Sequence, residues 1–237
     1  MRVHVIGSSP AWPNPGSAQS GYLVENGDGR LLLDCGPGVL GRLRASEATV
    51  DAVAITHFHL DHWGDLVPWA WLVAYGPGDE AMRAELWLPP GGIRELEDFA
   101  ARWGNDGMFA KAFDLREFAP DDPFEAAGFG VEAKRVEHYG LQAFGFRVTD
   151  SADGRLLAYS GDSGPSDELA VVARGADLFL CEATLADGSR DSQPRGHLSA
   201  DEARAAADGR IVLTHRPVEL PAPDGVEVAR DGLVVDV

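Results

Sequence analysis

Apolar and polar positions alternate with period two over residues 2–7, the mark of a half-buried strand. A loop rich in Pro, Gly, Ser and Asn follows, from Ser8 to about Gly21. Two apolar runs, 22–26 and 30–35, flank Gly27-Asp28-Gly29, which predicts a hairpin. Gly36-Pro37-Gly38 ends that run, and residues 39–47 read as a short helix. Residues 51–56 form a buried-type strand that leads into a histidine cluster, and residues 63–75, apolar almost throughout, predict a helix. A short strand at 85–89 and an amphipathic helix at 93–103 complete the first half. The second half repeats this logic. Strands are expected at 130–138, 141–150, 155–162, 177–184 and 210–215, and residues 226–237 read as a closing hairpin. A helix at 166–175 opens on a Ser-Asp N-cap signal, and Ser199 with Glu202 spells a capping box ahead of another helix.

Strands and helices alternating in two similar halves predict an α/β (α+β) architecture with sheets packed in the middle. The repeat lies in element order only, since the residues themselves do not recur. No Ser/Gly-rich linker or charge block divides the halves, so residues 1–237 are expected to form a single domain. A chain of 237 residues can bury about 70% of its unfolded surface, ample for an independent core.

Composition adds two exclusions. With 45% hydrophobic and 24% charged residues, the chain is neither disordered nor fibrous. Its formal charge of −18 is the wrong sign for neutralising an extended polyanion. Cys35 and Cys181 each sit inside an apolar run with no CxxC spacing, so reduced, buried thiols are expected. The first residues lack a signal peptide's apolar stretch, and no run reaches the length of a membrane span. A soluble, cytoplasmic protein is the expectation.

The chemistry concentrates in His57-Phe58-His59-Leu60-Asp61-His62. In an extended segment, residues two apart project to the same side, so His57 and His59 can share one metal. The turn into the following helix carries Asp61 and His62 to the other side, and one loop then supplies ligands to two neighbouring ions. Solvated loop histidines with a helix-capping Asp61 would be the bland alternative. This HxHxDH segment after a strand resembles the signature of the metallo-β-lactamase superfamily, and the resemblance spans nearly the whole chain. It implies a four-layer αββα sandwich. It also implies that His57, His59 and His138 hold one divalent ion and that Asp61, His62 and His215 hold a second, with Asp162 between them. Taken singly, His138 before Tyr-Gly reads as a turn residue, Asp162 as a turn or capping Asp, and His215 as a strand end. Their joint order at the ends of predicted strands lifts all three together. Family members running redox chemistry at two irons typically carry Glu where this chain has His59, so the set resembles zinc hydrolases, with manganese or iron as alternatives. A water bridging two such ions, about 3.5 Å apart, would furnish hydroxide near neutral pH, oriented by Asp61. Asp34 and Thr56 are candidates for holding the imidazoles in place, or for capping local turns.

Two further segments narrow the branch. Glu182-Ala183-Thr184 followed by Gly196-His197-Leu198-Ser199 is similar to ribonuclease Z-like phosphodiesterases, including relatives that hydrolyse cyclic nucleotides. There the extra histidine faces the scissile phosphate, held by a carboxylate, which makes His197 and Glu182 candidate catalytic residues alongside Asp61. A loop histidine near a helix start is the plainer alternative. The tRNA-processing enzymes typically insert a basic arm between the third histidine and the bridging Asp. Here His138 and Asp162 are only 24 residues apart, with no room for one. The resemblance therefore implies a metal-dependent hydrolase acting on a small phosphodiester, cyclic nucleotides among the candidates, with a homodimer within the range of relatives. A tRNA 3′-processing endonuclease, an ester, thioester or lactone hydrolase, and a non-catalytic metal-binding module are the competing readings. Trp12, Trp63, Trp69 and Trp71 are either an aromatic rim for a base or core residues, with core packing expected for at least two.

Overall fold

The protein is described here from a computed structural model covering residues 1–27, 29–76 and 82–237. Asp28, at the centre of the Gly27-Asp28-Gly29 turn, lies outside the described residues. The first sheet is built from β1 (Arg2–Gly7), β2 (Gly21–Glu25), β3 (Arg30–Leu33), β4 (Ala52–Ala54), β5 (Ala84–Leu88) and β6 (Phe113–Glu117). The second uses β7 (Phe124–Ala126), β8 (Phe129–Val136), β9 (Ala143–Asp150), β10 (Leu156–Tyr159), β11 (Leu178–Glu182), β12 (Ile211–Thr214) and β13 (Glu227–Val228). The last strand, β14 (Val234–Asp236), returns to the first sheet beside β1. Strand order is thus 14-1-2-3-4-5-6 in one sheet and 13-12-11-10-9-8-7 in the other.

Both sheets are covered on both faces, which is why several strands read as unbroken apolar runs rather than alternating ones. The period of two persists in where each residue goes. Leu31 and Leu33 of β3 and Leu178 and Leu180 of β11 enter the core shared by the two sheets. Their neighbours turn outward: Leu32 packs under α1 (Val39–Ala45), α3 (Leu66–Tyr75), α4 (Gly92–Ala101) and α5 (Met108–Ala112), and Phe179 and Cys181 pack under α6 (Asp167–Ala173) and α7 (Ala200–Ala206). The result is helices, sheet, sheet, helices. Trp63 and Trp69 are core residues, whereas Trp12 and Trp71 are exposed. Both cysteines are buried thiols. Among the described residues, no helix is long and apolar enough to cross a membrane.

Two expectations are corrected, and three elements are added. Residues 226–237 do not form a hairpin: β13 lies parallel to β12, with Leu213 opposite Val228, whereas β14 runs antiparallel to β1, with Arg2 opposite Asp236. The link between them is fastened to the first sheet, where Gly232 N–H donates to the Val5 carbonyl and Asp231 accepts from Ser17 Oγ and the Ala18 amide. Each short strand therefore finishes an open edge of a different sheet. The helix expected at 63–75 is two elements, a single turn α2 (Leu60–Trp63) and then α3. The break falls at Gly64, where a Cβ would crowd the Leu60 carbonyl and the Pro37 ring. Finally, α5, β6 and β7 were not signalled by the apolar pattern. Exposed and half-exposed positions interrupt β6 and β7, which close the free edges of the two sheets.

The capping box is formed. Ser199 Oγ accepts from the Glu202 amide, and Glu202 Oε2 accepts from the Ser199 amide at 2.9 Å. Arg195 adds a two-pronged pair to the same carboxylate, at 2.6 and 2.9 Å. That guanidinium holds the Glu202 carboxyl down at about 2, below its ordinary 4.5. A carboxyl lowered on folding stabilises above its unfolded value and loses that contribution as pH falls through the folded one. Glu202→Gln should therefore cost about 1 kcal/mol or less, as befits a partly exposed pair. Thermal melts of the two proteins should differ fully at pH 7 and converge as the pH approaches 2.

Candidate metal centre

The strand ends converge on one edge of the sandwich. His57 follows β4, His138 follows β8, Asp162 follows β10 and His215 follows β12. The extended His57-Phe58-His59 stretch keeps both imidazoles on one side, and His59 is the N-cap of α2 in β conformation. Asp61 and His62 lie on that single helical turn itself, and their side chains gather with Asp162 and His215 while the His62 ring stays 4.2 Å from that of His57. At the far side, His215 sits at φ 52°, a left-handed kink that ends β12.

Among the described residues, three groups of His and carboxylate side chains approach closely enough to share an ion. They are His57, His59, His138 and Asp162; Asp61, His62, Asp162 and His215; and Glu182, His197 and His215. Asp162 divides its two oxygens between the first two groups. Its Oδ2 lies 3.9 Å from His57 Nε2 and 4.0 Å from His138 Nε2, while Oδ1 lies 3.2 Å from His62 Nε2 and 3.6 Å from His215 Nε2. Asp61 Oδ2 is 3.1 Å from His215 Nε2 and 3.4 Å from His62 Nε2. His138 Nε2 is 3.0 Å from His59 Nδ1. All seven residues expected from the sequence thus come together, six of them buried and His59 half-buried.

Do these residues fit a metal? Three buried polar atoms, His57 Nε2, His62 Nε2 and Asp162 Oδ1, have no hydrogen-bond partner, although each points into the cluster. Such groups normally cost about 1–3 kcal/mol apiece unless something satisfies them. Burial, reinforced by His62, holds the His57 imidazole well below its ordinary pKa. Burial likewise lowers His59 and His138, keeping them neutral and able to donate a lone pair. Burial works against ionisation of Asp61 and Asp162, but Asp61 is held low by its hydrogen bond with His215 and by the adjacent His62, and Asp162 by electrostatic attraction to His215 and His62. The neutral imidazoles of His57, His59 and His138 beside ionised Asp61 and Asp162 are donors a divalent ion accepts. The charges of Asp162 and Asp34 instead lift His62 against burial, so an ion there would take the place of its proton.

The supporting shell is equally specific. Asp34, buried and at φ 58°, accepts from the Thr56 amide at 2.8 Å and from the Tyr159 hydroxyl at 2.8 Å, and Asp34 Oδ2 lies 2.7 Å from His62 Nδ1. Thr56 Oγ1 also reaches His57 Nδ1, at 3.1 Å. Asp34 and Thr56 therefore set the imidazole orientations of both groups. His4, by contrast, is a strand residue paired with Glu25 outside the cluster.

His197 enters from the loop before α7. Its Nδ1 lies 2.8 Å from Glu182 Oε1 and 3.9 Å from Asp162 Oδ2, and its ring stacks on His215 at 5.8 Å. Burial pushes its pKa down, but the adjacent Glu182 charge outweighs that and lifts it to about 9. Glu182 is fully buried and holds more than the imidazole, accepting from the amides of Ser163, Thr184 and Leu198. Two residues of this corner carried no sequence signal. Tyr139 and Asp191 sit in loops, where a tyrosine and an acid read as surface.

A helix–sheet–sheet–helix sandwich with paired His/Asp groups at one edge defines a metallo-hydrolase of the metallo-β-lactamase fold. Comparison with known proteins gives the same answer. The β-lactamase superfamily domain matches residues 29–215, and the chain belongs to that family. It is 34% identical to the uncharacterized protein ML1173 of Mycobacterium leprae, over 97% of this chain and 82% of that one. It is 27% identical to a ribonuclease Z of a Bradyrhizobium strain, over 95% and 92% of the two chains. The crystal structure of the metallo-β-lactamase fold protein YhfI from Bacillus subtilis superposes with a TM-score of 0.83 at 26% identity, covering 99% of both chains.

Proposed function

We propose that this protein is a phosphodiesterase that uses two divalent ions, zinc by preference, on a small phosphodiester such as a cyclic nucleotide. The observation that carries the reading is the Glu182–His197 pair beside Asp162. A cationic imidazole held 2.8 Å from a buried carboxylate is the group needed to meet a phosphate and protonate a leaving alkoxide. Likeness to a ribonuclease Z supports a phosphoester substrate.

His57, His59, His138 and Asp162 would hold one ion, and Asp61, His62, Asp162 and His215 the other. When bound, the ions supply Lewis acidity and bring a water's pKa down toward about 7. Asp61 remains ionised in this setting, so it holds and orients rather than donating a proton. Asp34 and Thr56 fix the rings. Glu182 occupies Nδ1 of His197, which leaves Nε2 as the atom that meets substrate and releases a proton to the departing oxygen. Between His138 and Asp162 run only β9, β10 and their turns. With the −18 charge, that favours a compact substrate over a long RNA.

The test is a substrate panel with zinc- and manganese-loaded protein: bis-p-nitrophenyl phosphate, 3′,5′-cyclic nucleotides, a tRNA precursor and a thioester. Two ions per chain and turnover of the first two substrates are expected. Turnover of the thioester alone, or one tightly bound ion per chain, would overturn the proposal.

A further inference from the structure

His138 lies 58 residues before Gly196, the neighbour of His197, yet one closed ring of bonds joins the two segments. His138 Nδ1 lies 2.7 Å from the Gly196 carbonyl. The amides of Gly196 and His197 both donate to Asp191 Oδ2, at 2.8 and 3.0 Å. Asp191 Oδ1 accepts from the Tyr139 hydroxyl at 3.0 Å, and Tyr139 is the residue after His138. The Tyr139 amide donates in turn to the Arg195 carbonyl, at 3.1 Å. We propose that Tyr139 and Asp191 are positioning residues that fix His197 against the His138 side of the centre, and this rests on the reading of His197 as the proton donor.

Several features show that the ring is built for position. Tyr139 adopts φ 51°, a left-handed conformation that a bulky residue rarely takes without compensation. Its ring lies edge-on to His197 at 5.4 Å and tilted against His138 at 4.9 Å. Gly196 is obligatory at this crossing, because a Cβ there would run into the Tyr139 ring. The Asp191 side chain is buried, with its carboxyl held low by amides of its own loop despite burial. The two sides of His197 are thus set separately: Glu182 holds the ring, and Asp191 holds the backbone. Lose the hydroxyl of Tyr139, and the Asp191 carboxylate gives up its bond to the β8 end.

The variant to make is Tyr139→Phe, which keeps the ring and removes only the hydroxyl. On a phosphodiester with a poor leaving group, kcat should fall about 10-fold, with KM and ions bound per chain unchanged. On bis-p-nitrophenyl phosphate, whose leaving group needs little protonation, the loss should be under about 2-fold. In a His197→Ala background, Tyr139→Phe should have no further effect on kcat. Asp191→Asn, which keeps the shape but must turn an NH2 either toward the Tyr139 hydroxyl and Ser192 amide or toward the Gly196 and His197 amides, should show the same pattern more strongly. Equal loss on both substrates, or additivity with His197→Ala, would mean a general structural role and overturn the proposal. Should His197→Ala itself show no dependence on leaving group, the proton-donor reading fails first. If His197→Ala shows it and Tyr139→Phe does not, only the ring is refuted.

Discussion

Hydrolysis should fall by at least about 10³-fold when His62 is replaced by alanine, a barrier increase of about 4 kcal/mol. His62 contributes at two levels. Its Nε2 faces Asp61 and Asp162, and its Nδ1 is fixed by Asp34. The substitution therefore removes a member of the second group without touching the shared core of the sheets. Asp34 keeps the Thr56 amide and the Tyr159 hydroxyl as partners, so it is not stranded. Stability should drop by only about 1–3 kcal/mol, with far-UV circular dichroism unchanged. Metal analysis should show one ion lost per chain. A His62→Ala protein with near-normal turnover and full metal content would break the assignment of the second group.

The second large effect concerns His197→Ala. On the proposed reading of His197 as proton donor, its removal should slow phosphodiesters with poor leaving groups by about 10²- to 10⁴-fold. The metal content should be unaffected, because His197 leaves both Asp162-centred groups intact. With p-nitrophenolate departing, the defect should shrink sharply. Glu182→Gln should be weaker on chemistry but costlier to stability, since the carboxylate also accepts from the Ser163, Thr184 and Leu198 amides. Comparing kcat across a series of aryl leaving groups measures this directly. A flat response across that series would remove His197 from the reaction.

Much of this site was legible in the sequence because its chemistry is dense in one segment. His57 to His62 carry four of the seven candidate ligands, and the other three stand at strand ends that apolar runs make visible. The layering was legible for the same reason: strands buried on both faces, such as β3 and β11, leave a long apolar signature. Edges were not. β6 and β7 have mixed exposure, and the pattern at 226–237 marks two strands without saying which sheet each will join. Long-range hydrogen bonding was also invisible. Nothing about Asp191 distinguishes it from the chain's many surface acids until the fold brings Tyr139, Gly196 and His197 to it. The break at Gly64 was missed because apolar residues flank it on both sides, and the approach of the Leu60 carbonyl and Pro37 that leaves no room for a Cβ there shows only in the fold.

The order of these elements along the chain has a consequence for synthesis. The first group is complete once β10 and Asp162 have emerged, since His57, His59 and His138 all precede them. The second still lacks His215, which follows β12 and arrives only after α6, β11 and α7. A nascent chain therefore passes through a stage in which every residue of the first group has been made while the second is still one short. Asp162, the carboxylate common to both groups, is thus made well before His215, the last of its neighbours.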